Sequence, residues 1–383
     1  MPSSHQRYQS LPVQVAARLA AGIKKGTWGA WLPGERTLAA TLQVGRKTLR
    51  KALSHLQRNG AIETQHGRGH RIRSSKGAAT AVAGANADIS VGLLTPDAIE
   101  NLRPYTALWV DELRALLFEN GVRFATFSGH RFFTGRPEKA LARLVAQNPQ
   151  RCWVLAHSNK NIQQWFHDNG IACIIAGSSH PGLPLPNVDL DFFAICRHAA
   201  GEMLRLGHRQ VALFMRQSDR AGDLESERGF EDGVRRSPHR SAEPMIVQHD
   251  GTVDGAYRSL SRLFGAAKAP TAVLVAQSTF YLTTIAFLAE RGLRVPQDVS
   301  LMCRDDETFL AYLKPAPARY ACNPKTYAKR LLLQLNLVFD GETGAYATHR
   351  IEGKFIAGAS LGLLEGRSLA APLPASHRAP PKP

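Results

Sequence analysis

The chain has 383 residues, of which 44% are hydrophobic and 21% charged, and its formal net charge is +17. This length and apolar content predict two or three compact domains and exclude a disordered or fibrous chain. No apolar run approaches the roughly 20 residues that span a bilayer, and the N-terminus lacks an apolar signal segment. We therefore expect a cytoplasmic protein without a membrane partner. Five scattered cysteines without CxxC spacing favour reduced core thiols over disulfides or zinc ligands.

The positive charge is concentrated near the N-terminus. Residues 1–76 contain fourteen Lys or Arg and two acidic residues, whereas the remaining 307 residues contain 34 basic and 29 acidic side chains. A small basic segment joined to a nearly balanced body predicts a polyanion-binding module attached to a second module. A merely solubilising basic surface is the alternative at this point.

Residues 11–73 predict three helices followed by a β-hairpin. The first helix has apolar residues at helical spacing, and "LPGERTLAATL" predicts a short second helix. The third helix is amphipathic and ends at Asn59-Gly60. Its apolar stripe consists of Leu49, Ala52, Leu53 and Leu56. "AIETQ" and "HRIR" around a glycine-containing tip predict the hairpin.

The third helix has a strongly basic outward surface. With the apolar stripe buried, Arg46 and Arg50 share one face of the helix, as do Lys47 and Lys51. A helix with cations in its N-terminal half, preceded by a short helix and a tight turn, is typical of docking in the DNA major groove. We expect Arg46 or Arg50 to bind guanine edges, and Lys47 and Thr48 to bind phosphates.

The tip of the hairpin has the sequence His66-Gly67-Arg68-Gly69. Its glycines allow the backbone to approach a duplex, and Arg68 has the charge and length to enter the minor groove. The sequence therefore predicts a wing that contacts double-stranded DNA.

These blocks resemble the GntR-type winged helix-turn-helix domain. The resemblance rests on "LPGERTLA" at 32–39, "VGRKTLRKAL" at 44–53 and "GAIETQHGRG" at 60–69. It implies DNA contacts by the following residues: Arg36, Arg46, Thr48, Arg50, His66 and Gly67. Gly45, Lys47 and Lys51 depart from the residues usual in the family, which concerns the operator sequence rather than DNA binding.

Composition and alternation divide the rest of the chain. We expect a DNA-binding domain over 1–73, an Ala/Gly/Ser-rich linker over 74–88, a core over 89–363 and a disordered Pro-rich tail over 364–383. In the core, apolar runs such as "CWVLA" and "TAVLVA" alternate with amphipathic segments. This alternation predicts an α/β fold with parallel, doubly wound sheets, and about 275 residues predict two lobes.

The core resembles the sensor domain of the lactose-repressor family, which is similar to periplasmic sugar-binding proteins. The resemblance rests on "LRLGHRQVALF" at 204–214, "ERGFEDGV" at 227–234 and the segment at 270–307, with "YACNPKTYAKRLLLQL" at 320–335 as a return into the first lobe. It implies a ligand cleft between the lobes, in which Arg228 and Asp305 occupy ligand-binding positions. A GntR-type reader joined to such a core resembles the arabinose-repressor arrangement.

Other positions in the expected cleft depart from the family pattern. Gln277-Ser278 follows the "TAVLVA" strand, and Ser178-Ser179 follows "ACIIAG". We include Gln277, Ser178 and Phe280 among the candidate ligand residues. Phe280 would either stack on a pyranose or fill the core.

Together these features predict a dimeric, sugar-responsive transcription regulator that represses sugar-utilisation genes. The two DNA-binding domains of the dimer would bind an inverted-repeat operator, and binding of the sugar would release the protein from that operator. One alternative is a regulator that responds to a purine or amino acid, and another is a basic architectural DNA-binding protein without a ligand. The chain has no HExxH or G-x-S-x-G motif and no clustered histidines, so we expect neither catalysis nor a cofactor or metal.

Overall fold

The computed structural model describes residues 15–16, 19–20, 22–23, 27–42, 44–58, 60–65, 68–72, 89–238, 242–341 and 348–364. The predicted linker, and the predicted tail beyond Leu364, lie outside these residues. The chain divides into two compact units, one of residues 1–91 and 114–125 and the other of residues 92–113 and 126–383.

The N-terminal segment contains the predicted helices and hairpin. Residues 15–16, 19–20 and 22–23 are helical. Helix α1 (Glu35–Leu42) and helix α2 (Arg46–Arg58) precede strands β1 (Ile62–Gln65) and β2 (Gly69–Ile72), which pair antiparallel. The predicted stripe of α2 is buried against the other elements, so the amphipathic pattern was interpreted correctly. Gly60 turns the chain out of α2 with a φ of 66°, a conformation that glycine adopts without strain.

The first sheet of the α/β region has the strand order β13-β7-β6-β5-β3-β4. The parallel pairings β5–β6, β6–β7 and β7–β13 make it a doubly wound sheet. Its strands are β3 (Ser90–Thr95), β4 (Arg123–Ser128), β5 (Cys152–Ala156), β6 (Cys173–Ala176), β7 (Asn187–Leu190) and β13 (Thr348–Ile351). The helices between these strands are α3 (Pro104–Glu119), α4 (Glu138–Gln147) and α5 (Lys160–Asp168). We call this sheet with its helices the first lobe.

The second sheet has the order β14-β12-β11-β10-β8-β9 and is parallel except for β14. Its strands are β8 (Gln210–Arg216), β9 (Glu243–His249), β10 (Ala272–Val275), β11 (Ser300–Cys303), β12 (Ala318–Ala321) and β14 (Lys354–Ile356). Its helices are α6 (Phe192–Arg205), α7 (Ala221–Arg235), α8 (Val253–Gly265) and α9 (Ser278–Glu290). Two apolar clusters cover the two faces of this sheet, which we call the second lobe with its helices.

The chain passes between the two lobes three times. The crossings follow β7, β12 and β13. After the second crossing, helix α10 (Pro324–Phe339) packs against β5, β6 and β7. The Tyr327 hydroxyl donates a hydrogen bond to the Val188 carbonyl at 2.8 Å, so the predicted return into the first lobe is present.

Helices α6 and α7 touch each other through their backbones. A Cβ atom at Gly229 would lie 2.2 Å from the Phe193 carbonyl oxygen, and one at Gly233 would lie 2.6 Å from the Arg197 carbonyl oxygen. Any larger residue at either position would force the two helices apart.

The expected α/β class and two-sheet architecture are confirmed. The sequence reading did not predict the shorter or more polar elements, among them β4, β7, β9, α4 and α8. All five cysteines are free thiols, and four are buried. Within the described residues, no helix combines the length and apolar character needed to span a membrane.

Candidate functional site

A pocket of about 160 Å³ lies between the two lobes, at the carboxyl ends of strands from both sheets. Loops that follow β5, β6 and β7 line it on one side, and loops that follow β8, β10 and β11 line it on the other. This is the edge at which parallel α/β sheets bind ligands. Its polar lining side chains include Arg103, His157, Ser158, Ser178, Asp189, Arg220, Asp223, Gln277, Arg304 and Asp305.

Asp305, two residues beyond the end of β11, joins the two lobes. Its Oδ2 atom accepts from Nη1 of Arg103 in the first lobe, and its Oδ1 atom accepts from Nε of Arg304 at 3.2 Å. The Asp305 side chain is only 3% exposed. Two guanidinium groups therefore share one buried carboxylate, an arrangement in which each cation offsets the desolvation of the anion.

The Arg304 guanidinium forms hydrogen bonds to helix α7 and contacts an aromatic ring. Its Nη1 atom donates to Asp223 at 2.9 Å and to the Ser226 hydroxyl at 2.8 Å, both on α7. Its guanidinium lies 4.3 Å from the centre of the Phe192 ring, within cation–π distance. Burial raises the pKa of Asp223, whereas the charge and hydrogen bond of Arg304 lower it. The lowering effect is the larger, so the pKa of Asp223 lies below its usual value.

Asp189, on β7, is the third carboxyl group of the pocket. Burial raises its pKa to about 7, against the opposing hydrogen bonds from Ser178 and from the Leu190 amide. Ser178 Oγ donates to Asp189 Oδ2 at 2.8 Å, and the Leu190 N–H donates to Oδ1 at 2.8 Å. This carboxyl group is therefore already hydrogen-bonded within the first lobe.

A second contact between the lobes lies beside Asp305. The Tyr105 amide at the start of α3 donates to Glu307 Oε2 at 2.9 Å, and Arg103 Nε lies 3.6 Å from Glu307 Oε1. Burial raises the pKa of Glu307, against the lowering effect of Arg103. Arg103 and Tyr105 thus connect the first lobe to two carboxylates of the second.

His157 follows β5 in the left-handed region, with a φ of 55° that few non-glycine residues adopt. Burial, together with the charges of Arg220 and Arg103, lowers the pKa of His157 to about 3. Its imidazole is therefore neutral at physiological pH. Trp109 and Tyr327 add aromatic surface to the same pocket.

The structure brings together three of the five candidate ligand residues, Asp305, Gln277 and Ser178. Arg228 does not line the pocket. Its side chain is exposed, and its Nε atom donates to the Leu224 carbonyl at 3.4 Å. Phe280 also does not line the pocket, because it packs in the core of the second lobe with its ring 4.0 Å from that of His249.

Helical periodicity explains why Arg228 lies outside the pocket. Gly222, Ser226, Gly229 and Phe230 form the buried face of α7, and Arg228 lies away from that face. The basic residues of the pocket are instead Arg103, Arg220 and Arg304. Arg304 stood next to a predicted residue in "SLMCRD", where a cation at the end of a buried strand was a usable signal.

Most of the predicted DNA-binding residues whose side chains the structure describes are exposed. Arg36, Arg46, Arg50 and Arg68 are exposed, and Thr48 is half-buried. The Lys47 side chain, His66 and Gly67 lie outside the described residues. The roles of all eight residues stay predictions.

Arg50 is linked to the preceding helix. Its Nε atom donates to Glu35 Oε2 at 2.8 Å, and the second Glu35 oxygen lies 3.9 Å from Nε2 of His70 on β2. Glu35 therefore connects helix α2 to the hairpin. Within the described residues, no group of three or more His, Cys, Asp or Glu side chains is arranged to hold a metal ion.

Comparison with known proteins assigns both parts of the chain. Residues 11–72 match the model of bacterial regulatory proteins of the gntR family, and residues 200–361 match that of the periplasmic binding protein-like domain. Similar solved structures include a LacI family transcriptional regulator from Enterococcus faecium with bound ribose (TM-score 0.59, 19% identity, 72% of this chain and 100% of that chain). The chain combines a segment that matches the gntR family with a periplasmic binding protein-like domain whose fold is similar to that of LacI-family sensor domains. The expected family resemblances are thereby confirmed.

Other relatives agree with this assignment. The HTH-type transcriptional regulator CelR of Thermobifida fusca is 23% identical over 215 residues, which are 55% of this chain and 63% of CelR. A CelR–cellobiose complex superposes on 86% of this chain and 100% of that chain, with a TM-score of 0.62 and 19% identity. The HTH-type transcriptional repressor PurR of Escherichia coli is 28% identical over 114 residues, 30% of this chain and 33% of PurR. The chain thus spans less than two thirds of the length of these two curated relatives.

Proposed function

We propose that this protein is a transcription regulator that binds an operator through its GntR-type domain and a sugar-like effector in its LacI-type domain. The observation that carries the proposal is the pocket between the lobes. It combines planar guanidinium groups, carboxylates and aromatic rings within reach of one small ligand. Such a combination suits a polyhydroxylated ring, which offers several polar groups and an apolar face.

The size of the pocket favours one ring over two. Its volume of about 160 Å³ is close to the roughly 150 Å³ of a cavity that holds benzene. The structures with bound ribose and cellobiose support a sugar as the class of effector. A purine or an amino acid is the alternative class of effector.

The effector would act by changing how the two lobes are joined. Arg103 in the first lobe contacts both Asp305 and Glu307 in the second. A ligand that replaces one of these contacts changes the relative stability of open and closed lobes, within the usual coupling range of about 1–3 kcal/mol. We propose a homodimer in which this change releases two readers from an inverted repeat, so that the protein is a repressor relieved by its effector. The proposed domain limits are those predicted above, with 74–88 as the linker.

The first experiment selects bound sequences from a random duplex pool and then measures effector binding by thermal shift. A compound at a hundredfold excess over its Kd stabilises the native state by about 2.7 kcal/mol, which such a screen detects. The panel contains pentoses, hexoses, purines and amino acids. The expected result is one selected inverted repeat, released by the compound that raises the melting temperature.

Two outcomes would contradict the proposal. Uniform recovery of the pool without sequence preference would indicate an architectural DNA-binding protein. Chemical conversion of the stabilising compound during incubation would indicate an enzyme. A matched pair of variants separates the two domains. Arg46→Ala is expected to weaken operator binding alone. Arg304→Ala is expected to abolish the effector response and keep operator binding, with a lower melting temperature because its buried ion pairs are lost.

A further inference from the structure

The carboxylates of the pocket are already bound by donors of the protein. Asp305 accepts from both Arg103 and Arg304. Asp223 accepts from Arg304 at 2.9 Å and also from the Ser218 hydroxyl. Asp189 accepts hydrogen bonds from the Ser178 hydroxyl and the Leu190 amide of its own lobe. Each of these carboxyl groups is therefore already paired with at least one donor of the protein.

Arg220 differs from these carboxyl groups in its hydrogen bonding. It precedes α7 and lines the pocket, yet its guanidinium has no hydrogen bond or ion pair among the residues that the structure describes. Burial lowers the pKa of Arg220, and Asp223 and Asp219 only partly offset this effect. Arg220 is half-buried, and a cation that lines the pocket without a direct partner is a donor group available to a ligand.

Further donors surround Arg220. Ala221 and Gly222, the first residues of α7, line the pocket, and the first N–H groups of a helix have no acceptor within the helix. The Gln277 side chain accepts from the Arg216 amide through Oε1, at 3.2 Å, which leaves its NH₂ group as a donor. The positive end of the α7 dipole favours negative charge at the same place.

We propose that the effector carries an anionic group, a phosphate or a carboxylate, which binds Arg220 at the start of α7. An anionic acceptor complements a cation and neighbouring donors that form no hydrogen bond to the carboxylates of the pocket. A neutral sugar hydroxyl both donates and accepts, so it matches this end of the pocket less well. The inference rests on the proposed function, because it specifies the effector of the same site.

The test measures binding by isothermal titration calorimetry with matched pairs of probes. The pairs are ribose with ribose 5-phosphate, glucose with glucose 6-phosphate, and glucose with gluconate. We expect the anionic member of at least one pair to bind at least about tenfold more tightly than its neutral partner. Raising the salt concentration should weaken the anion and leave the neutral sugar unchanged. The phosphate and gluconate arms distinguish the two kinds of anion.

The matched variants are Arg220→Gln and Arg235→Gln. Arg235 lies on the same helix, is exposed and pairs with Glu231, so its variant should keep the preference for the anion. Arg220→Gln should lose the preference and keep operator binding, which also shows that the variant is folded. Equal binding of neutral and anionic partners in the wild type would overturn the inference, and so would an anion preference that survives in Arg220→Gln.

Failure of the inference and failure of the proposed function differ in their readouts. If no anionic probe binds while the selected operator does, the inference is wrong and the regulator remains. If the anions bind but no operator can be selected, the pocket chemistry is right and the proposed function is wrong.

Discussion

Replacing Arg304 with Met tests whether its contacts hold the second lobe together. The guanidinium is 5% exposed and its partners Asp223 and Asp305 are 13% and 3% exposed, so solvent screens these pairs only weakly. Asp305 keeps Arg103, but Asp223 would lose its main counter-charge. Removing one partner of a buried ion pair costs about 3–5 kcal/mol. In a domain of this size that loss lowers the melting temperature by roughly 10 °C.

The pH dependence of this loss has a defined sign. In the wild type the pKa of Asp223 lies below its usual value, so its pairing stabilises the native state above the unfolded pKa and is lost only in acid. In Arg304→Met, burial acts without the opposing cation and raises the pKa of Asp223. Ionisation of Asp223 then destabilises the variant increasingly as the pH rises. The deficit relative to wild type should therefore be larger at about pH 7.5 than at about pH 4.5.

Scanning calorimetry at these two pH values measures both effects. Arg228→Met is the matched control, since Arg228 is an exposed arginine of the same lobe and its loss should change the melting temperature little. A melting temperature of Arg304→Met within about 2 °C of wild type, or a deficit independent of pH, would refute the reasoning.

Three further predictions concern the reader and the pocket. Arg50→Ala should weaken binding to the selected operator at least about tenfold, with an unchanged melting temperature because the pair with Glu35 is exposed; unchanged affinity in an anisotropy titration would remove Arg50 from the interface. The pKa of Asp189 is raised to about 7 in the native state, so native stability should fall as pH rises from about 4 to about 7 and then level off; urea titrations of Asp189→Asn should lack this part of the slope. A Cβ at Gly222 would lie 3.0 Å from the Phe192 ring and 3.2 Å from Asp189 Oδ2. Gly222→Ala should therefore reduce effector affinity roughly tenfold in calorimetry, while the free energy of unfolding changes by less than about 1.5 kcal/mol.

Local patterns in the sequence predicted the fold best where apolar periodicity was strong. The stripe of α2 and the run "CWVLA" of β5 correspond to buried elements in the structure. Polar or short elements escaped prediction because their burial depends on partners distant in the chain. Strand β13 is an example: its alternating "THRI" sequence carries little signal, and it becomes a strand by pairing with β7.

The sequence also indicated some residues of the pocket and missed others. The place of Asp305 in the pocket could be predicted because it follows a recognisable strand, whereas Arg103 lies 202 residues away in sequence and reaches Asp305 only through the fold. Arg220 carried no motif. Arg228 carried one, but the helical period directs it to solvent, which shows that a motif position needs a check against the buried face of its helix.

The glycine contacts between α6 and α7 constrain how the second lobe can move. Because Gly229 and Gly233 bring the two backbones together without intervening side chains, neither helix can slide or tilt without carrying the other. Helix α7 begins beside Arg220 in the pocket, and α6 begins at the crossing that follows β7. Both helices begin at the pocket, α6 at Phe192 and α7 beside Arg220, so a ligand that displaces this part of the lining moves the two helices as one unit.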